Sequence, residues 1–363
     1  MGQLYRVYAT KTEPDAVHLP VELLQLIFEN LEDDKGSLFS LALANSFCHS
    51  LAIPLLYRHI TECPHQYLII NAIVRNPSLG AYVHSLHLRD GDYMVPPKLL
   101  TDAVMRIAPA LTNLRALSVR RFYMWAKLKP LPGFIQNIPS TKLETLIYDS
   151  GPDLSDMMSF LARQPRLRHL EVSLGKRLQK DGEASVAQRG DGFGNLISLQ
   201  GDRATIEAIL PGRRVMELRW QPSYADTDDA FDHLEDELGY VEFLSITKRN
   251  VARSFKLVYE FMKRLKYLEL DHMDTPEQLQ HISELPELQG LILKCRTPFT
   301  LAEFQEPSTM ARIFSMAPEL LFLDLEHRGG YERWTRSPKD ARVFNRAGIL
   351  YNGHFYKDII GHY

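Results

Sequence analysis

The sequence predicts an α/β protein in which a short helical unit precedes a long repeat solenoid of strands and helices. Leucine-rich helices with short polar breaks occupy the first 60 residues, and beyond them one short apolar pattern returns ten times. The chain has 363 residues, 45% hydrophobic and 24% charged. That is enough material for a sizeable core.

Charge and cysteine content exclude several classes of protein. With 42 Lys and Arg against 45 Asp and Glu, the net charge is −3, so we expect no binding to nucleic acid or to a membrane surface. The cysteines Cys48, Cys63 and Cys295 show no C-x-x-C spacing, which favours a reducing compartment, cytoplasmic or nuclear, and predicts no zinc site and no other cofactor.

The first segment reads as three short helices. Pro20 suits a helix start and is followed by an apolar stripe. We expect Ser37 and Ser46 to cap the second and third helices, and Pro54 to bend or interrupt the third. The stripe consists of Leu23, Leu24, Ile27, Phe28 and Leu31. Three helices in about 43 residues bury few leucines by themselves, so part of this apolar surface is expected to face a partner.

The run Leu19-Pro20-Val21-Glu22-Leu23-Leu24-Gln25-Leu26-Ile27-Phe28-Glu29-Asn30-Leu31, with Leu38, Leu41, Ala44 and Cys48 downstream, resembles an F-box. The stretch from Pro54 to Ile60 is similar to a fungal variant of that motif. The resemblance implies docking to a Skp-family adaptor and, through it, to a cullin and RING ubiquitin ligase. The adaptor-binding residues it implies are Leu19, Pro20, Leu23, Leu24, Ile27, Phe28, Leu31, Leu38 and Leu41.

The segment also departs from the F-box pattern. Where many members have Arg and Trp after the cysteine, this chain has His49 and Leu51, which could weaken the contact of the third helix with an adaptor. The alternative is an ordinary helical hairpin that caps a larger domain.

The rest of the chain repeats an apolar residue, two variable residues, a leucine, one variable residue and another apolar residue. Successive copies begin about 26 residues apart, within the ~20–29 residues typical of leucine-rich repeats, which they resemble. Alternation within a copy predicts a short strand with its leucines inward, and the connecting segments predict helices. The copies are 83–88, 114–119, 143–148, 167–172, 196–201, 215–220, 241–246, 265–270, 288–293 and 320–325.

The copy that ends at Gly201 fits the pattern least well and could be a false match. The alternative fold is a doubly wound α/β sheet, which usually has a glycine-rich phosphate turn that this sequence lacks. The predicted organisation is an N-terminal tail at 1–15, an F-box at 16–60, a linker and N-terminal cap at 61–82, an irregular leucine-rich-repeat solenoid at 83–326 and a C-terminal cap at 327–363.

Residues beside the second leucine of each copy are expected to point to the concave, strand-bearing face, because side chains alternate along a strand. The early end of this face is basic and the late end mostly acidic, which suggests a polarised surface for a protein substrate of mixed charge; the alternative is a solvated face without a partner. The predicted substrate-binding residues are His87, Arg89, Arg120, Asp149, Glu171, Arg219, Glu269, Asp271 and Asp324.

No G-x-S-x-G elbow, H-E-x-x-H helix, Walker loop or metal-ligand cluster is present, so we expect a protein that is not an enzyme. The sequence favours a substrate-recognition subunit of an SCF-type ubiquitin ligase. The alternative is a repeat scaffold for protein interactions with no role in ubiquitin transfer.

Overall fold

The computed structural model describes residues 19–61, 66–89, 97–120, 133–148, 154–172, 194–222, 231–247, 251–295, 297–327, 330–336 and 344–351. The chain divides into two compact units between His59 and Ile60. Asp149 and most of the segment predicted as the C-terminal cap lie outside the described residues.

The first unit consists of three helices: α1 (Val21–Asn30), α2 (Lys35–Ala44) and α3 (Ser46–Arg58). The predicted caps are wrong by one to three residues, because Asp34 accepts the Ser37 amide at 3.0 Å and Asn45 accepts the Cys48 amide at 2.8 Å. Pro54 does not end α3, which continues to Arg58. The core is formed by Phe28, Leu38, Ala42, Ala52 and Leu55.

The second unit is built on one 13-stranded sheet whose strands follow chain order from β1 to β13. The pairings from β2 to β11 are all parallel, whereas β12 and β13 add antiparallel strands. The strands are β1 (His59–Ile60), β2 (Ser85–Arg89), β3 (Ala116–Arg120), β4 (Thr145–Tyr148), β5 (His169–Val172), β6 (Ser198–Gly201), β7 (Glu217–Trp220), β8 (Phe243–Ile246), β9 (Tyr267–Met273), β10 (Gly290–Cys295), β11 (Phe322–His327), β12 (Gly330–Arg336) and β13 (Phe344–Tyr351).

Short helices connect the strands. The α-helices are α4 (Gln66–Arg75), α5 (Pro97–Ile107), α6 (Leu154–Leu161), α7 (Arg203–Ile209), α8 (Glu235–Leu238), α9 (Val251–Lys256), α10 (Pro298–Phe304) and α11 (Pro307–Met316). Turns of 3-10 helix lie at Pro77–Tyr82, Ala108–Ala110, Ile135–Asn137, Asp232–Leu234, Tyr259–Phe261 and Pro276–Glu284.

Each of the ten sequence copies coincides with one strand from β2 to β11. Their second leucines are register partners from strand to strand and are almost completely buried, from Leu86 in β2 to Leu323 in β11. A doubly wound sheet would reverse its strand order part-way, which this sheet does not do. The result is a mixed α/β unit with a parallel sheet, consistent with a leucine-rich-repeat solenoid.

The copy ending at Gly201 is a true repeat, because β6 pairs in parallel with both β5 and β7. Steric crowding explains why this position is a glycine. A Cβ atom at Gly201 would lie 2.5 Å from Thr205 Cγ2 and 2.6 Å from the Val172 carbonyl oxygen. The start of α7 therefore occupies the space that an apolar side chain fills in other copies.

Different elements flank the parallel strands at the two ends. Before β2, helix α4 buries Ile70 and Ile73, and the Gln66 side chain donates to the His87 carbonyl oxygen. After β11, the sheet continues in β12 and β13, and Arg336 donates to the Ala317 carbonyl oxygen at 3.0 Å, just beyond the end of α11.

Candidate protein-interaction surfaces

One row of side chains runs across all ten parallel strands. It alternates with the buried leucines, and each member is the register partner of the next, as the sequence predicted. We call it the central row: His87, Ser118, Ile147, Glu171, Gln200, Arg219, Ser245, Glu269, Ile292 and Asp324.

Accessibility changes along the central row. From β2 to β7 its side chains are partly exposed, apart from buried Ser118, whereas all four members from β8 to β11 are buried. Glu269 and Asp324, predicted to bind substrate, are therefore reassigned to the interior of the unit. His87, Glu171 and Arg219 remain accessible.

At the early end of the face, an ion pair crosses two strand spacings. Arg120 Nη2 in β3 lies 2.7 Å from Glu171 Oε2 in β5, so the pair spans Ile147 in β4. Both side chains retain contact with solvent, which makes the pair available to a partner. Arg89 pairs with Arg120 in the strand register, but its side chain lies outside the described part of the chain.

At the late end, two acidic side chains are neutralised by cations of the same unit. Lys294 Nζ lies 2.6 Å from Glu269 Oε1, and Arg333 donates two hydrogen bonds to Asp324, of 2.7 and 2.6 Å. Asp271 is half-buried and lies 3.6 Å from His272, and Glu326 is exposed. The expected acidic field at this end is consequently reduced by two internal ion pairs.

The environment of Glu269 favours its ionised form. Burial opposes ionisation, but Lys294 and the charge of Arg219 together lower the pKa of the Glu269 carboxyl. Burial likewise opposes the charge on Lys294, but Glu269 raises the pKa of this ammonium group above its usual value. Each group of the pair thus stabilises the charge of the other.

Aromatic side chains form a second row that the sequence interpretation missed. They lie two residues before the central row and on the same side of the sheet, in adjacent registers: Phe243 in β8, Tyr267 in β9 and Phe322 in β11. Gly290 separates Tyr267 from Phe322, whose ring centroids are 6.4 Å apart. The same alternation rule, applied to the residue before each second leucine, would have found this row.

Two arginines pack on the aromatic rings. The Arg219 guanidinium lies 5.2 Å from the Phe243 ring centroid, and that of Arg333 lies 4.1 Å from the Phe322 centroid. Such contacts orient cationic side chains over apolar surface. Arginine and aromatic residues together are the types that dominate binding energy in protein interfaces.

The first unit exposes apolar side chains on all three helices. Phe28 in α1 and Leu31 at its C-cap face the core and Leu24 is half-buried, whereas a second stripe of α1 faces solvent. Leu26 in that outer stripe is 54% exposed and Leu43 in α2 is 71% exposed. The exposed set is Leu19, Val21, Leu23, Leu26, Ile27, Phe39, Leu43 and Phe47, here called the outer apolar residues.

The predicted adaptor-binding residues divide by burial. Leu19, Pro20, Leu23 and Ile27 are exposed, and Leu24, Leu31 and Leu41 are half-buried. Phe28 and Leu38 are core residues, with 2% and 0% exposure. We therefore assign them to the packing of the three helices rather than to contact with an adaptor. The outer apolar residues that the sequence interpretation missed are Val21, Leu26, Phe39, Leu43 and Phe47.

No three His, Cys, Asp or Glu side chains in the described residues are grouped so as to hold a metal ion. Burial, with a smaller effect of Glu326, raises the pKa of the Cys295 thiol to about 12, so this cysteine is protonated at neutral pH and a poor nucleophile. Within those same ranges, no helix has the length and apolar character needed to cross a membrane.

Comparison with known proteins gives little beyond the geometry. No family model matches the chain, and no curated protein matches it. Among solved structures, internalin C2 from Listeria monocytogenes str. 4b F2365 aligns at 13% identity and a TM-score of 0.31, covering 72% of this chain and 92% of that one. The strand order and register, rather than this likeness, define the fold.

Proposed function

We propose that this chain is a non-catalytic protein-interaction scaffold whose strand face binds a protein partner. The observation that carries the proposal is the accessible part of the central row, which is continuous in register from His87 in β2 to Arg219 in β7. Six strands at about 4.8 Å spacing extend it over ~24 Å, the length of an extended segment of roughly 7 residues.

The chemistry of the face favours a partner with both charged and apolar groups. Arg120 and Glu171 offer opposite charges at one end, and Tyr267 and Phe322 offer aromatic surface at the other. Mixed polar contacts around aromatic anchors are typical of protein interfaces.

Matched variants on two sides of the second unit test this proposal. Arg120→Glu combined with Gln200→Arg changes two solvent-accessible residues of the strand face, and Arg106→Glu makes the same charge reversal on helix α5. Proteins labelled in cells by the wild-type chain fused to a proximity-labelling enzyme should be lost with the double variant and retained with Arg106→Glu. Retention by both variants would contradict a binding role for the face.

For the first unit we propose an F-box role, in which its helices dock a Skp-family adaptor and the strand face presents a substrate to a cullin and RING ligase. The ligase would then gain rate from effective concentration, with no chemistry in this chain. The supporting observation is the outer stripe of α1, because an apolar stripe that stays exposed among the described residues 19–61 favours a partner.

The two departures from the F-box pattern have structural roles in this unit. Leu51 packs against its hydrophobic core, and His49 Nδ1 lies 3.2 Å from the Ala42 carbonyl oxygen. Both residues therefore serve the contact between α2 and α3. The proposed adaptor contact depends mainly on the outer apolar residues of α1 and α2.

Co-purification of the full chain with a recombinant Skp-family adaptor tests the F-box role. Leu23→Asp and Ile27→Asp should abolish the complex, whereas Gln25→Asp adds the same charge at an exposed polar position of α1 and should preserve it. Absence of any complex with the wild-type chain would contradict the F-box role and would not affect the scaffold proposal.

A further inference from the structure

An arginine-lined cleft lies at the amino-terminal ends of strands β4 to β7. It is shallow and widely open to solvent, with a volume of about 600 Å³. Its lining comes from the residues that immediately precede four consecutive strands: Glu144, Arg166, Arg168, Gly194, Asn195, Leu196, Ile197 and Arg214. The cleft therefore lies at the amino-terminal ends of these strands and is separate from the central row.

A regular backbone ladder fixes the floor of the cleft. The Glu144 carbonyl oxygen accepts the amides of Arg168 and His169 at 2.9 and 3.0 Å, and the Arg168 carbonyl accepts those of Ile197 and Ser198 at 2.8 and 3.0 Å. Asn195 Nδ2 also donates to the Pro165 carbonyl at 3.1 Å, which ties two successive loops together. The backbone that carries Arg168 is thus held firmly in place.

The positive charge of the cleft is not compensated. Three arginines face one glutamate, and among the described residues none of these guanidinium groups has an ion-pair partner within 4.0 Å. Arg166, Arg168 and Arg214 are all exposed. Three exposed positive charges that line one depression favour the approach of an anion.

The neighbouring arginines show that helix capping does not explain the cluster. Arg213 donates to the carbonyl oxygens of Ile209 and Pro211 at the end of α7, where a cation compensates the helix dipole. Arg214 instead packs on the Tyr240 ring, 5.0 Å from its centroid. Stacking leaves the edge N–H donors of a guanidinium free to bind an anion.

We propose that this cleft binds a phosphate group carried by a segment of a protein partner, with the guanidinium groups of Arg166, Arg168 and Arg214 donating to its oxygens. Arginine forks match the geometry of phosphate oxygens, and clusters of arginine are a general device for phosphate recognition. The inference rests on the proposed protein-binding function but uses a different part of the second unit.

The surroundings favour one phosphate over a nucleic-acid strand. Glu144 lies within the cleft, and farther along the same edge Lys266 is already neutralised by Glu242 at 2.9 Å. A polyanion needs a row of unpaired cations along its backbone, whereas a single dianion needs only the three present here.

Fluorescence anisotropy on the full chain tests the proposal. The probe is a labelled degenerate peptide library with one fixed phosphoserine, compared with the same library carrying serine. We expect the phosphorylated library to bind at least tenfold more tightly. Arg168→Gln with Arg214→Gln, or Arg166→Gln alone, should weaken it at least tenfold, whereas Arg106→Gln on α5 should have no effect.

Three results would overturn the proposal: equal binding of both libraries, equal affinity for inorganic phosphate and phosphopeptide, or tighter binding of a single-stranded oligonucleotide. Circular dichroism confirms the fold of each variant. The strand-face double variant, Arg120→Glu with Gln200→Arg, should bind the phosphorylated library like the wild type. That result separates failure of the cleft from failure of the strand face.

Discussion

Asp324 and Arg333 form two hydrogen bonds, of 2.7 and 2.6 Å, between directly opposed residues of β11 and β12. Asp324 is the last residue of the central row, and its side chain is completely buried. The pair therefore joins the end of the parallel repeats to the antiparallel strands that follow.

Loss of Arg333 should be strongly destabilising. Arg333→Leu leaves a buried carboxylate without its cation, and we expect the free energy of unfolding to fall by about 3–5 kcal/mol. The double variant Asp324→Leu with Arg333→Leu should recover a large part of that loss, because it removes the buried charge as well. Urea denaturation followed by tryptophan fluorescence measures both. Equal stability of the two variants would contradict this account.

Acid should weaken the second unit through Glu269. The pKa of this carboxyl is lower in the folded chain than its unfolded value, so the stabilisation is fully present above the unfolded pKa, about 4.3, and is lost as pH falls through the folded pKa. In Lys294→Met, burial should dominate and raise the folded pKa above the unfolded value, so the sign reverses: acid should no longer weaken the unit through Glu269, and the variant should gain stability from this group as pH falls. Urea denaturation across a pH series tests this, with Lys256→Met as an exposed lysine control.

A methyl group at Gly290 should disturb the aromatic row. A Cβ atom there would lie 2.5 Å from Phe322 Cζ and 2.7 Å from Tyr267 Cδ1. Gly290→Ala should therefore cost about 1–3 kcal/mol of unfolding free energy, the usual range for overpacking. Gly194→Ala is the matched control, since nothing lies within 4 Å of its added Cβ. Combining Gly290→Ala with Phe322→Leu should restore part of the loss.

Substitutions in the two apolar stripes of α1 should have very different effects on stability. Phe28→Ala removes a core side chain of the first unit and should destabilise that unit by about 3–5 kcal/mol. Leu26→Asp changes an outer apolar residue and should alter its stability by no more than about 0.5 kcal/mol. Thermal unfolding by circular dichroism compares them. A large loss with Leu26→Asp would mean that the outer stripe packs within the chain.

His169 reports on the arginine cleft. Burial and, to a smaller extent, the charge of Arg168 lower the pKa of this imidazole, against the opposing charges of Glu217 and Glu144. Arg168→Gln should raise it by removing one like charge, and bound phosphate should raise it as well. An NMR titration of the imidazole Cε1 proton measures both shifts, and Arg106→Gln should produce neither.

The repeats were predictable because they obey one rule throughout. A buried leucine returns about every 26 residues, and strict alternation then assigns the central row without knowledge of the tertiary structure. Even the weak copy at Gly201 belongs to this rule, since its missing side chain is replaced by Thr205 from the following helix.

The ion pairs were not predictable for the opposite reason. Arg333 reaches Asp324 from an antiparallel strand that has no copy of the repeat, so no periodicity relates the two residues. The charges of the central row suggested an acidic end, but the cations that neutralise it come from outside that row. In the first unit, leucine content predicted an exposed apolar surface, yet Phe28 and Leu38 face inward because packing of three helices selects one stripe of each.

The strictly sequential strand order affects how the second unit can be made. Each strand from β3 to β10 finds its two hydrogen-bonding neighbours immediately before and after it in the chain. During synthesis, each strand that leaves the ribosome can pair with the preceding strand, which has already been made. No distant segment is needed to complete this pairing. The buried carboxylate of Asp324 is then the exception, because it lacks the two hydrogen bonds from Arg333 until Arg333 has been translated.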